Sequence, residues 1–352
     1  MQKRDHSSSI HRRNLADHAA RWTIQGIAFV SFAVILLIFV FVFKEAARVF
    51  DQEASTTSSE FLQSETYGED PADTTSAQLP STQAAAELSA QETAGAEGRV
   101  TFRSLLSTEW QPVSAHPRYG LLPLFVGSLK VTLVAVVFAA PLSILAALYS
   151  AVFAPRRLKE TIKPAIELLA GFPSVVIGFF ALMSLASLVQ QVLGYPYRLN
   201  AFVGGLGLSL AVIPIVYTVA EDALASVPSY MTEASLALGA TPWQTALYVV
   251  LPAATPGVFA ALLLGFGRAF GETMIVLMAT GNAALLSADP FEPVRTMSAT
   301  IGAEMAEVVF GDTHYSVLFL LGALLFVITF SLNAVAEFYV RDRLMRRFGG
   351  RG

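Results

Sequence analysis

The chain has 352 residues, of which 54% are hydrophobic and only 14% charged, with a formal net charge of -4. Soluble domains are about a quarter charged, so this balance, with a mean hydropathy of +0.56, excludes an ordinary soluble protein and predicts a polytopic membrane protein. There is no cysteine, which excludes disulfides, thiolate metal sites and cysteine nucleophiles. His6, His11, His18, His116 and His314 fall outside the apolar cores, so no histidine metal cluster is expected.

Residues 1–21 are polar and basic, with Lys3, Arg4, Arg12, Arg13 and Arg21 against Asp5 and Asp17. They read as a cytoplasmic tail, because basic residues ahead of a span stay inside. The apolar run 22–43 is long enough to cross about 30 Å of hydrocarbon. No small-residue cleavage site follows it, so 22–44 is predicted as an uncleaved anchor helix rather than a signal peptide. From 51 to 98 the chain turns to Ser, Thr, Ala, Gln and Glu, with no Lys or Arg between Arg48 and Arg99. Such a stretch cannot bury enough apolar surface to offset its ordering entropy, so 45–118 is predicted as an extracytoplasmic acidic loop, largely disordered. A docking tail for a partner is the functional alternative.

Five further apolar runs follow at 121–153, 166–193, 201–220, 254–279 and 314–338, which makes six helices and an all-α membrane protein. The first of these exceeds one crossing, and tilt or an interfacial first turn over 117–127 absorbs the excess. Arg156, Arg157, Lys159 and Lys163 share one connection, and the basic tail 341–352 holds Arg341, Arg343, Arg346, Arg347 and Arg351. Of the connections expected outside, 194–200 holds only Arg198 and 281–313 only Arg295. The positive-inside bias therefore places both termini in the cytoplasm. The loop 221–252 falls inside by parity alone, since it has no Lys or Arg.

That loop is patterned rather than merely polar. Pro228 and Ser229 break the chain, a short helix follows from Glu233 and stops near Gly239-Ala240, and Thr241-Pro242 read as the cap and first position of another. Ala246, Val249 and Val250 give that second helix an apolar face. Two short helices lying at the membrane surface can dock into a groove on a partner; the plainer alternative is a connector between spans.

The run 254–279 carries Arg268 and Glu272 in its interior. Arg268 lies about 20 Å from Ala254 at 1.5 Å per residue, well within a bilayer. An arginine there costs at least about 2.5–3.5 kcal/mol to insert, so it faces protein or a water-filled path. Glu272 stands one turn further on, where side chains share a face. The pair either neutralises itself inside the protein or lines an anion route with Arg268 as the attractive charge; intramembrane ionisable residues are functional by default. The neighbouring stripe of Gly257, Ala261 and Gly265 allows close helix packing or an open path. An ionised carboxylate only accepts hydrogen bonds, so Glu272 is expected to repel sulfate and accept a proton-bearing oxygen of hydrogen phosphate.

Glu233-Ala234-Ser235, Gly239, Val249 and Leu251-Pro252 resemble the EAA loop of binding-protein-dependent ABC importers, with Ser235 for the usual third alanine and Val249 for the usual isoleucine. The resemblance implies that this loop docks onto a separate ATP-hydrolysing subunit. The chain has no Gly-x-x-x-x-Gly-Lys run of its own, so ATP and Mg would be used by that partner, and this chain would be a transport subunit without enzyme activity or cofactor. The run Gly267-Arg268-Ala269-Phe270-Gly271-Glu272-Thr273-Met274 with Gly281-Asn282, the run at 169–180 and the run at 295–301 are similar to PstC-type permeases of phosphate-specific ABC importers. The sister PstA-type subunit shares Gly-Arg-Ala-x-Gly-Glu-Thr but usually continues with Ala-Pro where this chain has Met274-Ile275.

The resemblance covers about 119–347 and leaves out the acidic loop. It implies a type I ABC-importer transmembrane domain at 119–340, with five spans and the coupling loop 221–252, preceded by an extra N-terminal anchor. It gives Arg268 and Glu272 a role in translocation, and Glu233, Ala234, Gly239, Leu251 and Pro252 a role in coupling to the ATPase. The implied partners are a PstA-like permease, two PstB-like ATPase subunits, a PstS-like extracytoplasmic phosphate-binding protein and the lipid bilayer, with no nucleic acid. The implied activity is inward movement of inorganic phosphate across a bacterial cytoplasmic (inner) membrane by alternating access. Alternatives are the PstA-type partner or a molybdate or sulfate permease. A secondary anion transporter would predict inverted repeats and broken helices with several intramembrane charges.

Overall fold

The computed structural model describes residues 6–51, 101–114 and 116–335. A long helix α1 (His6–Asp51) comes first in the described chain, and a short cap follows, formed by α2 (Phe102–Leu105) and the hairpin β1 (Trp110–Gln111) and β2 (Arg118–Tyr119), in which Trp110 pairs with Tyr119. The helices α3 (Leu122–Phe153), α4 (Arg156–Ala170), α5 (Ser174–Leu193), α6 (Ala201–Ala225) and α7 (Ser229–Ala237) follow. The last part of the described chain holds α8 (Pro242–Phe270), α9 (Met274–Ala279), α10 (Met297–Glu304) and α11 (Thr313–Ala334). Among the described residues six helices are long and apolar enough to cross a membrane, and they are α1, α3, α5, α6, α8 and α11.

The hub is α6. Its residues Leu208, Val212, Val216, Tyr217 and Ala220 are buried against α3 and α8, and Ser143 of α3 donates to the Ile213 carbonyl at 3.1 Å. The small residues of α8 are what lets it approach. A Cβ on Gly257 would overlap Ala223, and one on Gly265 would lie 2.5 Å from Val216 Cγ2, so the stripe with Ala261 is filled by α6 and is not a path. A second cluster closes the capped end of the bundle, where Leu105, Trp110, Tyr119 and Leu124 pack with Phe270, Met297 and Leu318. Along α11, α1 lies antiparallel, with Phe39 edge-on to Phe326 at 4.3 Å and its lipid-facing side left apolar and exposed. Lateral exposure of this kind suits hydrocarbon and needs no internal partner.

Several sequence boundaries move. The anchor expected at 22–44 has its membrane-spanning part at Phe29–Phe50, inside a helix that begins at His6, so the tail expected at 1–21 is helical over its described part. Of the loop expected at 45–118, residues 45–51 are the end of α1 with Ala46 and Val49 buried, and 101–119 fold onto the core. The remainder, 52–100, lies outside the described residues, as does the basic tail 341–352. The run 166–193 is two helices, because Gly171-Phe172-Pro173 ends α4 and Pro173 caps α5. Proline has no N–H to continue the ladder and disfavours helix at the residue before it. The run 121–153 is one continuous helix, α3, from Leu122 to Phe153 with a π-turn at its end.

Candidate translocation site and coupling surface

The run 254–279 is not one helix. α8 ends at Phe270, Gly271 to Thr273 leave the helix, and α9 starts at Met274. Arg268 is in the last turn of α8, and its Nη1 lies 3.1 Å from Glu272 Oε2, the shared face expected for this spacing. The two side chains differ sharply in access: Arg268 is 51% exposed and Glu272 only 4%. The guanidinium is therefore the accessible member of the pair and the carboxylate the covered one. Depth follows from register. Gly257 packs on Ala223 and Gly265 on Val216 and Val212, so one further turn brings Arg268 level with the middle of α6. That is about 18 Å from either end of α6 at 1.5 Å per residue.

Three stretches of sequence converge on the break. From the first turns of α5, Gly178 sits where a Cβ would lie 3.0 Å from Met278 Sδ and 3.1 Å from the Met274 carbonyl. On the other side is α10, whose Ser298 hydroxyl donates to the Glu272 carbonyl at 2.6 Å and whose Gly302 faces Thr273. Thr296 caps α10, accepting from Ala299 N. Beyond α9, Gly281 and Asn282 both have left-handed backbone, and the Asn282 amide donates to the Leu277 carbonyl at 2.7 Å. This satisfies one of the carbonyls that a helix end leaves free. The runs at 169–180, 267–282 and 295–301 thus form one scaffold.

The segment 221–252 is one short surface helix and the beginning of a span, not two short helices. Its first residues complete α6, while Thr241-Pro242 open α8, which runs without a break through a π-turn (Ala246–Val250) and Leu251-Pro252. Thr241 and Gln244 form a reciprocal cap, and Gly239 takes a φ of 88°, open only to glycine at low cost. Ser235 and Thr245 hydroxyls lie 2.9 Å apart and tie α7 to α8. Glu233 and Ala234 are exposed, and so are Tyr230, Leu238, Trp243 and Tyr248, an apolar set that this chain leaves uncovered.

Two clusters carry no signal that the sequence reading used. Lys159 and Lys163 of α4 bind Glu221 at 2.5 and 3.1 Å, and Lys163 also reaches Asp222 at 3.1 Å. The Lys163 ammonium is held above its ordinary range by the Asp222 and Glu221 hydrogen bonds. These pairs put the basic α4 on the same face as α7, a placement independent of counting spans. At the opposite end of the bundle, Glu304 accepts from Trp110 Nε1 at 3.2 Å and His314 Nε2 at 2.9 Å, and pairs with Arg295. His314, expected outside the apolar cores, is buried against the rings of Trp110 and Tyr119. Burial works against the charged form of Glu304, but the His314 and Trp110 hydrogen bonds and the Arg295 charge outweigh it and hold the carboxyl below its ordinary range. Tyr119 is pushed up to about 12 by burial and by Asp312 and Glu304. A lone glutamate in the apolar stretch 297–306 was the available hint for this cluster.

Residues 139–344 match the family model of the binding-protein-dependent transport system inner membrane component, and the chain belongs to that family. It is a multi-pass membrane component of the ABC-importer permease class, whose members work with ATPase and binding-protein partners. Among its relatives are phosphate permeases. The chain is 34% identical over 267 residues to the phosphate transport system permease protein PstC of Mesorhizobium japonicum, covering 70% of this chain and 80% of that protein. It is 38% identical over 226 residues to the probable ABC transporter permease protein YqgH of Bacillus subtilis, covering 64% of this chain and 73% of that protein. A subunit of the MetNI methionine ABC transporter in an inward-facing conformation shares the fold, with a TM-score of 0.50 at 19% identity, over 63% of this chain and 95% of that one.

Proposed function

We propose that this chain is the permease subunit through which an ATP-driven importer moves inorganic phosphate inward, with Arg268 as the charge that the anion meets. The observation that carries this is the Arg268–Glu272 pair: a guanidinium half open at the middle of the bundle, at a helix break, backed by a covered carboxylate. Irregular backbone at membrane depth persists only where protein buries it or where it lines a watery cavity. An uncovered arginine facing hydrocarbon would carry its full insertion penalty, so its open side belongs to a path. That side also exposes Leu264 of α8, and a PstA-like subunit placed there would complete the wall.

The face bearing α4 and α7 is cytoplasmic in this reading, because Arg156, Arg157, Lys159 and Lys163 lie on it. Both termini are then inside, and two PstB-like ATPases dock on Glu233, Ala234 and the apolar residues around Gly239. ATP binding to them draws the coupling helices together and opens the path outward to a PstS-like phosphate-binding protein; separation after hydrolysis opens it inward. Glu272 fixes the guanidinium and favours a proton-bearing oxyanion over sulfate, since a carboxylate only accepts hydrogen bonds. The test is uptake of radiolabelled phosphate by cells in which Arg268→Gln replaces the native chain, with sulfate and molybdate as competitors. Phosphate uptake should collapse in the variant, and neither competitor should inhibit the native chain. Uptake at the native rate in Arg268→Gln, or inhibition by molybdate at equal concentration, would overturn the reading.

A further inference from the structure

We infer that Ser298 is the positioning residue of the translocation site, setting the Arg268–Glu272 pair through the backbone of the helix break; this rests on Arg268 being the solute-facing charge. The Glu272 carbonyl lies between α8 and α9, where the regular ladder is interrupted, and the first regular bond of α9 runs from Leu277 N to the Thr273 carbonyl. The Ser298 hydroxyl supplies the bond that the break lacks, at 2.6 Å. Because the Ser298 proton goes to that carbonyl, Ser298 Oγ is left to accept from the Thr296 hydroxyl at 3.3 Å. The donor is itself anchored. Met297 N donates to Ser128 Oγ at 2.9 Å, and Ser128 donates to the Leu124 carbonyl at 2.9 Å, which fixes the start of α10 to α3. Gly302 lets α10 lie against the Thr273 side chain, where a Cβ would come within 2.6 Å of Thr273 Cγ2. The far end of α10 is held by Glu304.

The pair itself is held by little else. Among the described residues the carboxylate of Glu272 makes one ion pair, 3.1 Å to a guanidinium that is half exposed, and no described residue fixes its height or angle from the solute side. The backbone that carries it is fixed from behind by Ser298. A hydroxyl at this position therefore decides where the guanidinium stands without touching the solute. Side-chain position within about 1 Å is what separates a working site from a loose one.

The experiment measures phosphate uptake against phosphate concentration in cells carrying Ser298→Ala, Ser298→Thr or Ser298→Val in place of the native chain. Threonine and valine have the same shape, so their difference isolates the hydroxyl from any steric cost. The expected result is a fall in maximal rate of about fivefold for alanine and valine, the worth of one hydrogen bond, with threonine well above valine. The half-saturating concentration should not move, because capture precedes this step. In an Arg268→Lys background, which keeps a charge and a measurable rate, Ser298→Ala should add little, since both changes act on one element. Native rates for alanine and valine, equal losses for threonine and valine, or full additivity with Arg268→Lys would each overturn the inference while leaving Arg268 as the transport charge. Native uptake in Arg268→Lys and Arg268→Gln alike would instead remove the site, and this inference with it.

Discussion

Glu272, which is buried, and Glu304, which is partly buried, are both carboxylates that hold an arginine, yet they sit in opposite kinds of surroundings. Glu304 is enclosed, with Arg295 only 19% exposed and with Trp110 and His314 as further partners. Among the described residues Glu272 has one ionic partner, Arg268, and that partner is 51% exposed. A buried carboxylate whose partners are all internal joins segments of chain; here it joins the hairpin, α10 and the start of α11. One whose cation remains open leaves charge available to something that is not part of the chain. In the proposed reading the difference separates a strut from a site, although both look like isolated acid residues in apolar sequence.

The comparison breaks first at Arg268. Arg268→Gln should lower phosphate uptake by about a hundredfold to a thousandfold, the scale seen when one preorganised donor at a charged step is removed. The protein should still accumulate in the membrane, because the insertion penalty of about 2.5–3.5 kcal/mol that the change removes offsets a cost of about 3 kcal/mol for leaving the covered Glu272 carboxylate unpaired. Immunoblots of membranes beside uptake rates check both halves; a variant that fails to accumulate would make Arg268 a strut as well. Glu304→Ala should do the reverse. It leaves Arg295 as a buried cation without its carboxylate, at a cost of about 3 kcal/mol, so the thermal midpoint of the purified complex falls by roughly 6–12 °C. Uptake per folded transporter should change little.

A smaller effect follows from proton linkage at the strut. The folded-state pKa of Glu304 is below its ordinary 4.5, so its stabilisation is present above pH 4.5 and is lost as pH falls through the folded value. The thermal midpoint should therefore decline below that pH in the native chain, and this part of the decline should vanish in Glu304→Gln. The smallest effect belongs to the coupling helix. Ser235→Ala removes the 2.9 Å hydroxyl contact with Thr245 and should cost no more than about 1 kcal/mol, with ATPase-coupled uptake close to native. A large loss there would mean that α7 is held mainly from within the chain and not by a partner.

Much of the fold was legible because its signals are local. Apolar runs of spanning length gave all six helices, and Thr241-Pro242 gave the start of α8 where it is found. Charge spacing gave the Arg268–Glu272 pair, since four residues along a helix return to the same face. The break at Gly271 to Thr273 was not legible. Every residue there except Glu272 is compatible with a continuous apolar run, and what stops the helix is the packing of α5 and α10 on either side. The hairpin at 110–119 was lost in a loop because two-residue strands carry no periodicity, and Trp110 and Tyr119 find their burial against distant residues such as Met297, His314 and Leu318.

Composition and periodicity by themselves determined that this chain lives in a membrane, crosses it six times and carries one charged pair deep in a span, because hydrocarbon permits only continuous helical hydrogen bonding and penalises every charge. The tertiary structure decided which member of that pair is open, how the backbone is interrupted beside it and which distant hydroxyl holds the interruption. Those are questions of how separate helices approach, and Gly265 on Val216 or Ser298 on the Glu272 carbonyl are contacts between residues that nothing in their own neighbourhoods connects.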